Sequence, residues 1–120
     1  MKLLYIFLIS LFTQANAQYA EGNYAEAALQ YEQIIADSPS AEAYYNLGNS
    51  YFKQGELAQS ILAYERALRI NPSYKDAQYN LQFAQSSIVD NTVKVEKIPP
   101  EILENATLDD LSPEQIANLP

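Results

Sequence analysis

The rhythm of apolar and polar positions changes twice along this chain. Leu3 to Phe12 is apolar throughout except for Ser10. From about residue 22 to residue 88 the apolar residues instead recur at helical spacing, one stripe at a time. Tyr44, Leu47, Gly48 and Tyr51 stand at i, i+3, i+4 and i+7. Ile61, Tyr64, Ala67 and Leu68 make a second stripe, and Ala77, Leu81, Ala84 and Ile88 a third. Beyond residue 90, Val93, Val95 and Ile98 alternate with Lys94, Glu96 and Lys97, the period of an extended segment.

Start and stop signals divide the helical region. Ser40 predicts a cap for a helix over Ala41–Gln54, with Glu42 well placed for the helix dipole and Gly55 as its terminator. A second helix is expected over Leu57–Ile70, stopped by Asn71-Pro72. Ser73, with Asp76 as a weaker capping box, predicts a third over 74–88. Upstream, residues 22–39 read as a single helix entered through an Asn23/Glu26 capping box and closed before Pro39.

These segments repeat. Sliding the chain by 33 to 34 residues lays Gly22 to Ala25 on Gly55 to Ala58, Tyr31-Glu32 on Tyr64-Glu65, and Pro39 on Pro72. The next step lays Ala43 to Leu47 on Ala77 to Leu81. Such a period belongs to two-helix units that stack on copies of themselves. Residues 41–72 resemble the tetratricopeptide repeat (TPR): Tyr44, Leu47-Gly48, Tyr51, Ser60, Tyr64, Ala67 and Pro72 stand at its signature positions. Tyr44 replaces the usual tryptophan and Ser60 the usual alanine. Glycine at position 48 leaves room for a neighbouring helix to approach closely.

The resemblance implies an all-α fold, a short stack of TPR-type helical hairpins amounting to about 1.5–2.5 repeats, followed by an irregular acidic tail. A partial repeat (22–39), a full repeat (41–72) and a capping helix (74–88) make up a helical domain at 18–90. Gln82 replaces the packing glycine in the last helix, as suits a terminal repeat. A narrower likeness links residues 1–98 to the exported TPR protein of bacterial aerotolerance operons, through Tyr45 to Asn49, Tyr64 to Leu68, Asn80-Leu81 and Val89-Asp90. It implies an envelope-associated scaffold.

The N-terminal run fits a secretory leader at 1–17: Lys2, the apolar stretch, then Ala15-Asn16-Ala17 as an A-x-A cleavage site. The run falls short of the roughly 20 residues that span a bilayer. Export follows, to the periplasm or envelope of a diderm bacterium and otherwise by secretion. The competing reading is a buried first helix. A leader occupies the place where the first repeat needs its first helix, leaving the helix at 22–39 an orphan unless part of residues 8–21 is kept and structured.

Composition narrows the chemistry. The 120 residues contain no cysteine and no histidine. Disulfides, thiolate or imidazole catalysis and zinc sites built on those residues are thereby excluded. A net charge of −8 speaks against nucleic acid and against direct lipid binding. No carboxylate pair shares an apolar cleft, so no enzyme, cofactor or metal site is expected; Asp109, Asp110 and Glu114 lack the spacing of a calcium loop.

Residues 91–120 are expected to be a linker or edge strand followed by an acidic tail. Within it, Ser112-Pro113-Glu114-Gln115 can start a short helix that docks back on the stack or on a partner. Asn105-Ala106-Thr107 fits a glycosylation sequon, relevant only in a eukaryotic secretory host.

TPR stacks bind on the face lined by the first helix of each repeat. Carried over position by position, that face offers Tyr45, Asn46, Asn49 and Lys53, then Tyr79, Asn80 and Phe83, with Glu42, Phe52 and Asp76 beside them. The asparagines suit a peptide backbone, since each both donates and accepts. The aromatics offer rigid apolar area, although Tyr45 and Tyr79 suit the core equally well. Lys53 alone is basic, which does not favour a terminal-carboxylate clamp. The expected function is an exported scaffold or adaptor binding a protein or peptide on this face, with a membrane-complex component as one such partner. The alternative is a self-associating structural part of an envelope complex, a homo-oligomer covering its own open ends.

Overall fold

The computed structural model describes residues 2–90, five helices in sequence: α1 (Lys2–Ala20), α2 (Tyr24–Asp37), α3 (Ala41–Lys53), α4 (Leu57–Ile70) and α5 (Lys75–Asp90). Each helix packs on its neighbours in the chain, α1 on α2, α2 on α3, α3 on α4 and α4 on α5. Two hairpins and a closing helix thus form an all-α stack. The expectations for residues 91–120, from the edge strand to the docking helix and the sequon, lie outside the described residues.

Local signals set the turns. Ser40 Oγ accepts from the Ala43 amide at 3.1 Å, and extended backbone at Ser40 turns the chain into α3. At the other end Gly55 takes a φ of +79°, with the Gly55 and Glu56 amides bonded to the Phe52 and Tyr51 carbonyls. Gly22 repeats that geometry after α1, at a φ of +86°, where the Gly22 and Asn23 amides bond to the Tyr19 and Gln18 carbonyls. Both are Schellman closures, in which a left-handed residue satisfies the last carbonyls of its helix.

Two start signals differ from expectation. The Asn23 side chain makes no cap bond and instead donates to Gln18 Oε1 at 2.8 Å, so the Asn23/Glu26 capping box does not form. The chain leaves a Schellman turn just before α2, and that turn holds Asn23 close to the end of α1. The last helix starts at Lys75, its first bond accepted by the Tyr74 carbonyl, which leaves Ser73 outside it.

Residues 2–20 form one continuous helix rather than an isolated apolar strip, and its C-terminal half is packed. Ala15 is fully buried with Ala27, Ala28, Tyr31 and Ile34, while Leu8, Leu11, Phe12 and Tyr19 lean on the same cluster. The ring of Phe12 lies 6.4 Å from that of Tyr31. In this structure α2 is therefore no orphan: α1 and α2 make the first hairpin. Nearer the N-terminus α1 is different, with Leu3, Tyr5, Ile6, Phe7 and Ile9 all exposed.

Two apolar clusters hold the stack. The first joins α1, α2 and α3 through Ala15, Tyr31, Ile34, Ala43 and Leu47, and takes in Ala63 from α4. The second joins α4 and α5 through Ile61, Tyr64 and Ala84, with Tyr45 and Phe52 of α3 against it. Burying a side chain such as Ile34 stabilises by about 1.5–3 kcal/mol. The expected stripes of α3, α4 and α5 supply most of these contacts. At Gly48 α3 lies tight against α4, with the Tyr64 ring occupying the space that a side chain there would fill.

Candidate functional site

On one side of the stack, α3 turns Tyr45, Asn49, Phe52 and Lys53 outward at helical spacing, and α5 turns Tyr79, Asn80 and Phe83 toward them. Between them lies an open cavity of about 460 Å³, lined also by Tyr64 of α4 and Tyr19 of α1. A smaller cavity of about 160 Å³ continues from it, lined by Asn16, Tyr31 and Asn46 and sharing Tyr19 and Asn49 with the first. Together they form one groove lined by side chains from all five helices.

A polar node organises the groove. Asn49 Oδ1 accepts from the Tyr64 hydroxyl at 2.5 Å and from Asn80 Nδ2 at 2.9 Å. Asn80 Nδ2 also donates to the Tyr45 hydroxyl at 3.3 Å. Three helices are thereby tied through one amide oxygen. With its acceptor positions taken, Asn49 keeps its amide N–H groups to offer a ligand. Burial pushes the Tyr64 phenol above its ordinary value, and the Asn80 amide acts more weakly in the opposite sense. Tyr64 is therefore a neutral donor at any ordinary pH.

The first hairpin carries a matching pair. The Tyr31 hydroxyl donates to Asn16 Oδ1, fifteen residues earlier, as Tyr64 does to Asn49. Burial pushes the Tyr31 phenol up to about 12, with smaller contributions from Tyr19 and Glu42. Burial likewise raises Tyr19 and Tyr74.

The aromatic walls are exposed enough to be used. Tyr79 is 69% and Phe83 55% exposed. Phe83 stands against Phe52 with ring centroids 5.6 Å apart, and Tyr45 lies 5.0 Å from Tyr74 and 6.0 Å from Tyr64. Tyr45 thus belongs to both core and groove, whereas Tyr79 belongs to the surface. Lys53 is the single charged side chain lining the larger cavity.

Six of the seven residues expected from sequence, Tyr45, Asn49, Lys53, Tyr79, Asn80 and Phe83, line the larger cavity, and Asn46 lines the smaller. Phe52 joins them, while Glu42 and Asp76 line neither. Asn16, Tyr19, Tyr31 and Tyr64 are lining residues that helical spacing on the two first helices does not predict. The 33-residue slide lays Asn16 on Asn49, Tyr19 on Phe52 and Tyr31 on Tyr64, so the signal is present in the chain. Among the described residues, no group of three or more acidic side chains is placed to hold a metal ion.

A family model described as tetratricopeptide repeat matches residues 12–75, just over half of the chain, starting inside α1 and ending at the first residue of α5. No curated protein matches the chain.

Proposed function

The chain belongs to the tetratricopeptide-repeat family, and from that premise we propose that it is an interaction module holding a peptide segment of a partner protein in the groove between α3 and α5. Repeats of this family generally mediate protein–protein contact. The observation that carries the reading is the exposed Tyr79/Phe83 shelf facing the Asn49–Asn80 node across one open groove. Exposed aromatics beside pre-positioned amide groups suit a ligand with an apolar anchor and a polar backbone. Lys53 at the rim favours an acidic residue next to the anchor. Such a site has no catalytic role.

The same reading carries an exported location, periplasmic or envelope in a diderm bacterium, supported by Lys2 and the apolar run behind it, which can direct export whether or not the bond after Ala17 is cut. The test of the binding site is selection of peptides from a phage-displayed library on the full chain, followed by titration of a selected peptide. The Tyr79→Ala/Phe83→Ala variant should weaken that peptide more than tenfold while keeping its helical circular dichroism and a cooperative melt. Equal affinity of the variant and wild type would remove the groove from the account.

A further inference from the structure

The Ala15-Asn16-Ala17 stretch has two explanations, because a leader cleavage site and the seam of a helical hairpin both demand small residues. The 33-residue slide puts Ala15 on Gly48. Gly48 faces the Tyr64 ring, and Ala15, fully buried, shares the first cluster with Tyr31, the counterpart of Tyr64. Asn16 occupies the place of Asn49 and accepts the corresponding tyrosine hydroxyl. Each residue of the motif that the repeat constrains thus acts as its counterpart does one repeat later. The bond after Ala17 lies inside α1, with the Ala17 carbonyl accepting from the Glu21 amide at 3.0 Å.

We propose that residues 11–20 stay with the working protein, that Asn16 and Tyr19 complete its groove, and that cleavage after Ala17 would dismantle the site instead of maturing it. The second half of the proposal rests on the binding role argued above; the first half does not. Cleavage there would remove Phe12, Ala15 and Asn16. Tyr31, 2% exposed, would lose its cover and its acceptor, and Tyr19 would be left on a short stub. Tyr19 lines both cavities, so each would lose part of its wall. The exposed apolar residues of α1 (Leu3, Tyr5, Ile6, Phe7 and Ile9) take no part in the first cluster. Processing upstream of Leu8 leaves the argument intact.

Three measurements on the full chain test the proposal. The intact mass of the protein recovered from its source cells should include residues 11–20; a folded product beginning at Gln18 overturns retention. Ala15→Leu should lower the melting temperature by on the order of 5–10 °C, as overpacking at a closed seam does; an unchanged melt means that α1 is not docked. Tyr19→Ala should keep its helicity while weakening a library-selected peptide at least tenfold; unchanged affinity overturns the completion of the groove. If no peptide is selected at all, the binding role fails, and the mass and the Ala15→Leu melt still decide retention.

Discussion

Replacing Gly48 with alanine tests the tight contact between α3 and the Tyr64 ring. A Cβ at this position would sit 2.5 Å from Tyr64 Cε1, 2.6 Å from Cδ1 and 3.0 Å from Cζ. Carbon atoms do not tolerate such separations, so something must move. The Tyr64 ring has little freedom: it is 1% exposed, and its hydroxyl is tied to Asn49. On helix propensity alone, alanine would gain about 1 kcal/mol over glycine. Overpacking a closed core costs about 1–3 kcal/mol, and a tethered ring places this site toward the upper end. The net prediction is a loss of about 1–2 kcal/mol, or roughly 5–15 °C in melting temperature for a domain of this size. Thermal and urea melts followed by circular dichroism measure it. Gly55 is the control, because its need is conformational: φ is +79°, and a Cβ there would meet nothing within 4 Å. Gly55→Asn should therefore be tolerated better than Gly55→Ala, since asparagine visits that backbone region, whereas asparagine at position 48 should fare worse than alanine. A Gly48→Ala protein that melts at or above wild type would refute the steric account.

Other outcomes follow from the same contacts. Ser40→Ala should cost about 1 kcal/mol through its lost cap bond, while Asn23→Ala, whose side chain caps nothing, should cost clearly less; equal losses in urea melts would contradict the assignment of the caps. Asn49→Ala should lose about 1–3 kcal/mol, because the buried Tyr64 hydroxyl is left without its acceptor, whereas Tyr79→Ala should stay within about 0.5 kcal/mol of wild type; comparable melts for the two would undo the distinction between node and shelf. Tyr31 ionises near 10 when unfolded and at about 12 when folded, so the folded state holds this proton more tightly. Its stabilising contribution is complete below pH 10 and is lost as pH rises toward 12. Tyr64 shifts in the same direction. The urea midpoint should fall between about pH 9.5 and 11.5, by less in Tyr31→Phe, and a flat midpoint would contradict the burial of both phenols.

Much of this fold is legible in the sequence, for local reasons. Ser40, Gly55 and Asn71-Pro72 each carry a backbone constraint that acts within a few residues, and α3 and α4 begin and end within a residue or two of where those signals lie. The stripe of α3 follows from helical spacing, and the lining role of Asn49, Lys53 and Asn80 from the resemblance to the repeat, carried over position by position. The packed half of α1 is harder to read. A leader and a hairpin seam call for the same alphabet there, apolar residues followed by small ones, and the sequence alone does not choose between them. Tyr19 and Asn16 are hidden for the same reason, although their match to Phe52 and Asn49 lies in the repeat itself. The Asn23/Glu26 box looks correct in one dimension and fails in three, because the turn before α2 draws the asparagine side chain toward Gln18.

The double membership of α3 has a mechanical consequence. Ala43 and Leu47 anchor it in one apolar cluster while Tyr45 and Phe52 press on the other, and α4 shares this double membership through Ala63 in the first and Ile61 and Tyr64 in the second. Since every helix grips chiefly its neighbours in the chain, tension applied at the two ends of the stack should peel it inward, one helix at a time. α1 and α5 would yield first at low force, and the α3–α4 pair would hold longest. The groove is built on α3 but closed by α1 and α5, so the ligand would be released while half of the molecule is still folded. An optical-tweezers trace should therefore show ligand-dependent force only in its earliest steps.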